Sequence, residues 1–439
     1  MNGSVALTCQ SLGAAPRDGP FRASLVLLEM RIAARRPSPT RADALCEPGL
    51  RPARVGGFGG SERSERGGGH PGVQIIRLAQ CAPHAAGDIA GGTGGAVPLT
   101  AALAARLRAQ PIALGGAPLG NLFAVVADAD AVALVRHAVQ AGVAYFDTAP
   151  HYGNGLSERR FGSALRDVRR ERFVLSTKVG RLLVPDASAP HDQHGYVAVP
   201  PVVQRCDYSR DGVLRSLAES RARLGIERID IVYVHDLDRA THGPDFDRHF
   251  RDLLDTGLPV LAEQKSAGVI GAYGIGVNGV DASMTTLRHA DLDVILLAGR
   301  YTLADQSALS ELLPECMRRG VAIVLGGPFN SGILATGSRP RDGAPPLFDY
   351  APAPDAVVAR VRALEIVCQT YDVPLAAAAL QFPAAHPAVA VVLAGARSTA
   401  ELDASLALAR RAIPAGFWAE LRERELIDPR APLPGAATG

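Results

Sequence analysis

Lysine is almost absent from this chain of 439 residues. Lysine and arginine together number 46, and only two of these are lysines, Lys178 and Lys265. Arginine therefore supplies the generic positive charge, and a lysine that persists against this bias either is there by chance or marks a position where arginine's planar fork is unsuitable. Lys265 lies in AEQKSAGVIG, which is typical of an exposed helix end, whereas Lys178 directly follows the apolar run of RFVLSTKVG. Lys178 is the better candidate for a functional lysine.

The sequence also lacks a long apolar run, an excess of charge and paired cysteines. No run approaches the roughly 18 residues of a membrane helix, and the N-terminus lacks the pattern of a secretory signal. The formal net charge is +2, which gives no bulk signature of nucleic-acid binding. The six cysteines form no C-x-x-C pair, and no His/Cys spacing suggests zinc. These absences predict a cytoplasmic protein with reduced thiols, no metal, and no membrane or nucleic-acid partner.

Residues 1–105 differ in composition from the rest of the chain. GGFGGSERSERGGGHPG and GDIAGGTGGA are rich in glycine and lack apolar periodicity, which is typical of disordered segments. We expect a disordered extension over 1–105, one domain over 106–428 and a flexible tail over 429–439. Two other interpretations of the extension stay open, a start site placed too far upstream and an arginine-rich targeting peptide.

From residue 111 onward, eight short apolar runs alternate with amphipathic segments. Several of these segments, such as DYSRDGVLRSLAESRARLG, end in glycine before the next run, as helices do. Eight buried strands, each followed by a helix, predict a parallel (β/α)8 TIM barrel. A doubly wound sheet is the alternative, but the turn GGAPLGN after the first run is not G-x-G-x-x-G. The eight runs are 111–116, 143–149, 172–178, 229–235, 271–277, 293–299, 321–327 and 390–396.

Ionisable side chains stand at the ends of three consecutive predicted strands. Asp147 ends the second, Lys178 the third and His235 the fourth, and Tyr152 follows in the loop TAPHYGNG. The chemistry of such barrels is built at the carboxyl ends of the strands, so these four side chains should meet at one rim. Each alone has an ordinary explanation as a cap, a hydrogen-bonded core residue or packing. Four of them on adjacent strands indicate a catalytic site.

This set of side chains suits proton transfer coupled to hydride transfer at a carbonyl or alcohol carbon. Tyrosine has an unperturbed pKa near 10, and lowering that pKa to neutrality requires roughly 4 kcal/mol. An ammonium about 4 Å away supplies a gross interaction of that size at an effective dielectric of about 20. We therefore expect Lys178 to lower the pKa of Tyr152, Asp147 to hold the ammonium, and His235 to orient the substrate oxygen.

The same segments resemble the aldo-keto reductase superfamily. FDTAPHYG, the TK of STKVG and the His of VYVHD carry the resemblance, which runs from about residue 111 to 427. GGAPLGNLF, APHYGNGLSERRFG, LLAGRYTL and GGPFNSGIL resemble more narrowly the D-threo-aldose 1-dehydrogenase branch, which includes L-fucose and L-galactose dehydrogenases and a pyridoxal 4-dehydrogenase. The resemblance implies a catalytic tetrad of Asp147, Tyr152, Lys178 and His235.

The resemblance also implies an NAD or NADP cofactor lying across the barrel mouth. Asn278 falls where relatives bind the nicotinamide amide, and GGP at 326–328 replaces a segment whose tyrosine stacks on the nicotinamide in many relatives. Glu401 falls near the adenosine ribose, where a carboxylate suits a free 2′-hydroxyl and favours NAD. The full set of implied cofactor positions is Gly116, Asn278, Gly327, Pro328, Gly395, Ala396, Arg397, Ser398 and Glu401.

Together these features predict an NAD(P)-dependent oxidoreductase. Its expected reaction is oxidation at C1 of an aldose of the L-fucose, D-arabinose or L-galactose type, which gives a lactone. The alternatives are a pyridoxal 4-dehydrogenase, a general aldehyde reductase and, outside the enzymes, a nicotinamide-binding regulatory subunit. Expected substrate contacts are His151, Tyr208 and Arg300, of which His151 and Tyr208 could equally be packing. The expected partner is a small sugar or aldehyde, bound by a monomer or homodimer.

Overall fold

The computed structural model describes residues 101–340 and 343–435, and its centre is a closed barrel of eight parallel strands. Each strand pairs with the next along the chain, and the last pairs with the first. Each of the eight predicted runs overlaps one strand, so the predicted (β/α)8 barrel is confirmed. The strands are β1 Ala113–Gly115, β2 Tyr145–Asp147, β3 Val174–Val179, β4 Ile229–His235, β5 Ile270–Val277, β6 Val294–Ala298, β7 Ala322–Gly326 and β8 Val389–Gly395.

Helices surround the barrel and bury their apolar faces against the outside of the strands. The helix Arg210–Leu224 shows how its ends are set: the Ser209 side chain accepts a hydrogen bond from the Gly212 amide, and Gly225 closes the helix at a φ of +64°. The helices of eight or more residues that follow β1 are Asp128–Gln140, Leu156–Leu165, Arg210–Leu224, Leu258–Ser266, Val280–His289, Leu312–Arg319, Asp355–Thr370, Leu375–Ala384, Thr399–Arg410 and Ala415–Glu423. Shorter helices are Arg239–His242, Phe246–Asp252 and Ile333–Thr336.

A helix before β1, Ala101–Arg108, covers the amino-terminal end of the barrel. Its Leu103 and Leu107 are buried in the cluster of inward-facing side chains at that end, which includes Ala113 and Tyr145. The boundary that the sequence places between residues 105 and 106 therefore falls inside a packed helix. The rest of the expected extension, residues 1–100, lies outside the described residues.

The end of the barrel domain also differs from the expectation. The tail predicted over 429–439 begins as packed structure, because Ala431 is buried and its carbonyl oxygen accepts a hydrogen bond from Arg422 at 2.8 Å. Residues 436–439 lie outside the described residues.

Lys265 does not have the exposed position that its sequence suggests. It lies in the last turn of Leu258–Ser266, and its Nζ donates to Asp293 Oδ1 at 2.6 Å. The Asp293 side chain is only 3% exposed, and its other oxygen accepts from the Tyr273 amide. Lys265 therefore neutralises a buried carboxylate beside β5 and β6.

Two hairpins stand above the carboxyl ends of the strands. The first, Arg181–Pro185 with Val202–Cys206, follows β3, and residues 186–201 connect its strands. The second, Leu347–Phe348 with Ala351–Pro352, follows β7. These hairpins carry side chains that the strands themselves cannot place over the barrel mouth.

Within the described residues, no single helix is long and apolar enough to cross a membrane. Asp355–Thr370 and Leu375–Ala384 pass the same length and hydropathy test only when taken together, and a bend of 102° separates them.

A close contact between two glycines fixes the loop after β2 against the loop after β1. A Cβ placed on Gly153 would lie 2.2 Å from the Gly120 carbonyl oxygen, and Gly153 has a φ of +64°. Gly225 has the same φ, but a Cβ there meets nothing within 4 Å. Substitutions at Gly153 and Gly225 therefore share the cost of a left-handed backbone, and only the substitution at Gly153 adds a steric overlap.

Gly153→Ala is expected to destabilise the protein more than Gly225→Ala. Both substitutions place alanine in the left-handed region, at a cost of about 1–2 kcal/mol, but only Gly153→Ala also forces two loops apart. Chemical unfolding of both variants measures the difference. Equal free energies of unfolding would contradict the role given to the Gly120–Gly153 contact.

Candidate active site

A cavity of about 430 Å³ lies at the carboxyl ends of the strands. Its floor comes from strand ends and its walls from the loops after β1, β2 and β3 and from the hairpin after β7. The lining residues are Ala117, Leu122, Phe123, His151, Tyr152, Lys178, His194, Gly195, Tyr196, His235, Asp236, Gly276, Val277, Asn278, Leu296, Ala298 and Tyr350.

Lys178 and Asp147 form a buried ion pair in the floor of this cavity. Lys178 Nζ donates to Asp147 Oδ2 at 2.7 Å and to the Thr148 carbonyl oxygen at 3.0 Å. Both side chains are 1% exposed. Since β2 and β3 are adjacent parallel strands, the ends of the two place these side chains side by side. Asp147 therefore holds the Lys178 ammonium in the floor of the cavity.

A chain of hydroxyl groups supports this ion pair from inside the barrel. Ser176 donates to Asp147 Oδ1 at 2.6 Å, and the Tyr145 hydroxyl lies 3.0 Å from both Ser176 Oγ and the Tyr233 hydroxyl. Burial raises the pKa of Asp147, whereas Lys178 and Ser176 act in the opposite direction. Both carboxylate oxygens therefore have donors, as a buried charge requires.

Tyr152 lies above the ion pair, with the Lys178 ammonium 4.5 Å from the centre of its ring. Within the described residues its hydroxyl has no hydrogen-bond partner. Burial, and next the Asp147 charge, raise the pKa of Tyr152 well above its ordinary value. The expected lowering by Lys178 is therefore wrong for this geometry, because the ammonium is hydrogen-bonded to Asp147 and Thr148 and lies over the ring. The phenol is the resting form.

His235 completes the group of four. Its ring centre is 5.9 Å from that of Tyr152, and its Nε2 lies 3.3 Å from Asp236 Oδ2. Burial, followed by the charges of Lys178 and Arg181, lowers the pKa of His235 well below its ordinary value, so the ring is neutral. Within the described residues, the buried Nδ1 atom of His235 has no hydrogen-bond partner. His235 thus brings a neutral ring, which can donate from one nitrogen and accept at the other, beside the Tyr152 hydroxyl.

Of the three expected substrate contacts, the structure brings only His151 to the cavity. Tyr208 is fully buried, and its hydroxyl donates to the His235 carbonyl oxygen at 2.8 Å, so it supports β4 from behind. Arg300 is not among the lining residues. It donates to the Asn278 carbonyl oxygen and pairs with Asp349, so it fastens the hairpin after β7 to the end of β5.

The expected cofactor positions fall into two groups along the barrel mouth. Asn278 lines the cavity, and within the described part of the chain its side-chain amide has no protein partner. Gly327 is exposed in a left-handed conformation directly after β7, next to buried Pro328. At the end of β8, exposed Gly395 and buried Ala396 lead to Ser398, which caps the helix Thr399–Arg410.

One expected cofactor position is tightly packed. Gly116 is not among the residues that line the cavity, although Ala117 is, and a Cβ on Gly116 would meet Phe161 at 2.5 Å and Ser157 Oγ at 2.6 Å. Its amide donates to the Asp147 carbonyl oxygen at 2.8 Å. Gly116 therefore permits close packing of the end of β1 against β2 and the helix Leu156–Leu165.

Several residues that line the cavity were not predicted from the sequence. Asp236 directly follows His235 in the segment VYVHD, so its position was open to inference from the strand end. Phe123, Tyr196 and Tyr350 come from loops whose course the sequence pattern does not reveal. Phe123 and Tyr350 have positive φ angles of 63° and 62°, a strained conformation that is frequent at functional sites.

This arrangement can transfer a proton to or from a substrate oxygen. The Tyr152 hydroxyl and the neutral His235 ring both border the cavity, and the buried ion pair fixes the electrostatic field beneath them. Within the described residues, no three His, Cys, Asp or Glu side chains group as a metal site.

Comparison with known proteins agrees with this geometry. The aldo/keto reductase family matches residues 111–425. A D-threo-aldose 1-dehydrogenase from a Pseudomonas species is 42% identical over 332 residues, covering 74% of this chain and 97% of the relative. A pyridoxal 4-dehydrogenase from Microbacterium luteolum is 43% identical over 334 residues, covering 73% of this chain and 95% of the relative.

A solved structure shows the same fold. An aldo-keto reductase from Bacillus halodurans, in its holo form, superposes with a TM-score of 0.56 at 25% identity, covering 72% of this chain and 92% of that one. The family match spans the whole barrel from β1 to the last helix, and the four strand-end side chains meet at one cavity. The chain therefore belongs to the aldo/keto reductase family of NAD(P)-dependent oxidoreductases.

Proposed function

We propose that this enzyme oxidises an aldose at C1 to a lactone with a nicotinamide cofactor. The observation that carries the proposal is the meeting of the Tyr152 hydroxyl and His235 Nε2 at one cavity above the Lys178–Asp147 pair. The likeness to a D-threo-aldose 1-dehydrogenase supports the substrate class. L-fucose, D-arabinose and L-galactose are the proposed sugars.

The four side chains have separate roles in this reaction. His235 donates a hydrogen bond from Nε2 to the C1 oxygen and orients the sugar. Tyr152 exchanges the proton of the C1 hydroxyl, and the Lys178 ammonium, which Asp147 holds in place, lies 4.5 Å from the centre of the Tyr152 ring. Asn278 would hold the nicotinamide, which would supply the hydride acceptor for C1.

The raised pKa of Tyr152 sets how the reaction responds to pH. Oxidation needs Tyr152 to take up a proton, which only the phenolate can do. The reverse reaction needs it to give up a proton, which the phenol can do at once. Since burial raises the pKa of Tyr152, the phenolate fraction, and with it the rate of oxidation, grows as the pH rises through the neutral range.

The residues along the barrel mouth fit a nicotinamide dinucleotide. The side-chain amide of Asn278, which has no partner within residues 101–340 and 343–435, suits the nicotinamide carboxamide. Glu401 Oε2 accepts from the Arg397 amide at 2.9 Å, and its other oxygen lies 3.5 Å from the Arg397 guanidinium. Glu401 thus neutralises the cation that would otherwise attract a 2′-phosphate, which favours NAD over NADP.

A pyridoxal 4-dehydrogenase is the second candidate. The identity to such an enzyme, 43%, matches the identity to the aldose dehydrogenase. Both reactions use the same proton and hydride transfers, so the tetrad does not distinguish them, and the choice between them depends on the walls of the cavity.

A substrate panel tests the proposed function. The purified enzyme is offered L-fucose, D-arabinose, L-galactose, D-glucose and pyridoxal with NAD and with NADP, and the reduced cofactor is followed by its absorbance. We expect turnover of at least one of the first three sugars. Turnover of pyridoxal alone would move the substrate to the second candidate and contradict the first.

Tyr152→Phe is expected to lower kcat by about 10²–10⁴-fold, since general acid–base catalysis contributes that much. The cofactor dissociation constant should stay unchanged. Tyr196→Phe is the matched control, because Tyr196 lines the same cavity and stacks on Tyr152 at 6.2 Å. Wild-type oxidation should accelerate with rising pH and the Tyr152 variant should not. Full turnover in Tyr152→Phe would exclude the role assigned to the phenol.

Glu401→Gln is expected to lower the preference for NAD over NADP by about tenfold, the effect of roughly 1.4 kcal/mol. The amide keeps an acceptor for the Arg397 amide but loses the negative charge. Asp403→Asn, on the same helix and paired with His137, is the control for charge alone. The ratio of kcat/KM for the two cofactors is the measurement, and an unchanged ratio would refute the proposed role of Glu401.

A further inference from the structure

His151 and Asp236 both line the cavity, and each of them contacts His235. The ring of His151 lies 5.6 Å from that of His235, and Asp236 Oδ2 lies 3.3 Å from His235 Nε2. Each of the two residues carries one polar atom that no protein group satisfies within residues 101–340 and 343–435. These atoms are His151 Nε2 and Asp236 Oδ1.

The protonation of His151 follows from a chain of hydrogen bonds. Asn154 Nδ2 donates at 2.8 Å to the carbonyl oxygen of Pro200, which can only accept. Asn154 therefore turns its own oxygen to Gln204, whose Nε2 donates to it at 2.8 Å. This leaves Gln204 Oε1 facing His151 Nδ1 at 2.8 Å, so the His151 proton sits on Nδ1.

His151 Nε2 is consequently a bare acceptor at the cavity. Burial, aided by the Arg181 charge, lowers the pKa of His151 to about 3, so the ring stays neutral in the physiological range. A neutral ring with its proton on Nδ1 accepts at Nε2 and cannot donate there.

Asp236 supplies the second acceptor. Its backbone is left-handed, with a φ of +47°, and its amide donates to the Gly276 carbonyl oxygen at 2.9 Å. Burial raises the pKa of Asp236, and the Arg181 guanidinium, which donates to Oδ2 at 2.9 Å, opposes this rise. The remaining oxygen, Oδ1, is therefore held at the cavity with its full capacity to accept.

Because both atoms are hydrogen-bond acceptors, they limit which ligands the cavity can bind. Each acceptor requires a donor from the ligand, because a buried polar atom left unpaired is costly. The nearby cations are already paired, Lys178 with Asp147 and Arg181 with Asp236. A phosphate or carboxylate on the substrate would bring further acceptors and a like charge to Asp236, whereas hydroxyl groups bring donors without charge.

We propose that His151 Nε2 and Asp236 Oδ1 form a subsite that accepts hydrogen bonds from two hydroxyl groups of a neutral sugar, and that this subsite excludes the phosphorylated form of the same sugar. The inference rests on the proposed aldose oxidation and specifies its substrate class.

Asp236→Asn tests the subsite sharply. Arg181 only donates, so the asparagine turns its oxygen to Arg181 and presents its NH₂ group to the cavity, which converts the acceptor into a donor. The KM for the aldose that the wild type oxidises should rise by about tenfold or more, since a buried polar mismatch has that effect, and kcat should fall less. The preference for D-arabinose over D-arabinose 5-phosphate in kcat/KM should shrink by about tenfold.

Asp238→Asn is the matched control. It removes the same charge from the same loop, but Asp238 lies outside the cavity lining and caps a short helix, which asparagine also does. A fluorescence titration with NADH verifies that each variant is folded. If Asp236→Asn binds no NADH, Gln204→Leu carries the test, because it releases the constraint on the His151 proton and should likewise raise the KM for the aldose.

The outcomes separate the two proposals. A wild type that oxidises none of the aldoses contradicts the proposed function itself. A wild type that oxidises one of them, with a KM that neither Asp236→Asn nor Gln204→Leu raises above that of Asp238→Asn, overturns the subsite alone. Equal changes for the neutral and the phosphorylated sugar would also overturn the subsite.

Discussion

The ion pair between Lys178 and Asp147 determines most of what surrounds it. A pair that is almost wholly buried is tolerable only if every remaining donor and acceptor is satisfied. The Thr148 carbonyl oxygen accepts from the ammonium, and Ser176 donates to the carboxylate. The polar chain continues to Tyr145, deep among apolar side chains of the barrel interior. Hydrogen bonds from the barrel core therefore stabilise the ion pair at the barrel mouth.

That support explains why arginine does not replace Lys178. The ammonium donates to two oxygens within a space bounded by the Tyr152 ring and by Gly276, where a Cβ would already lie 3.5 Å from the Lys178 side chain. A planar guanidinium needs more room and more acceptors in one plane. The same position makes Lys178 a poor agent for lowering the pKa of Tyr152, because its charge is largely balanced by Asp147.

Much of the fold and part of the site could be predicted from the sequence because buried strands have a recognisable local pattern. A short apolar run defines a strand, the next polar residue marks its end, and parallel pairing brings those ends together, which placed Asp147, Lys178 and His235 correctly. Gly116 and Tyr208 could not be assigned in this way. A glycine at a strand end, such as Gly116, is equally compatible with close packing and with the approach of a ligand. The direction in which Tyr208 faces depends on tertiary contacts, which the sequence pattern does not show. The course of the hairpin that carries Tyr350 follows from pairings such as Arg300 with Asp349, which leave no periodic signal.

Two neutral histidines between two ion pairs give the cavity its selectivity. The charges of Lys178 and Arg181 both oppose protonation of His235 and His151, so the same cations that stabilise the buried carboxylates also keep the imidazole rings uncharged. Gln204 fixes the proton of His151 on Nδ1, so that His151 Nε2 accepts, and His235 Nε2 lies 3.3 Å from Asp236 Oδ2. The floor of the cavity thus holds its charges in internal pairs that no substrate group has to match, while its walls supply hydrogen-bond acceptors that uncharged donors such as hydroxyl groups match. Catalysis and recognition are separated in this way within one small space: the ion pair beneath Tyr152 serves any carbonyl chemistry, and the residues beside His235 decide which molecule brings a carbonyl to it.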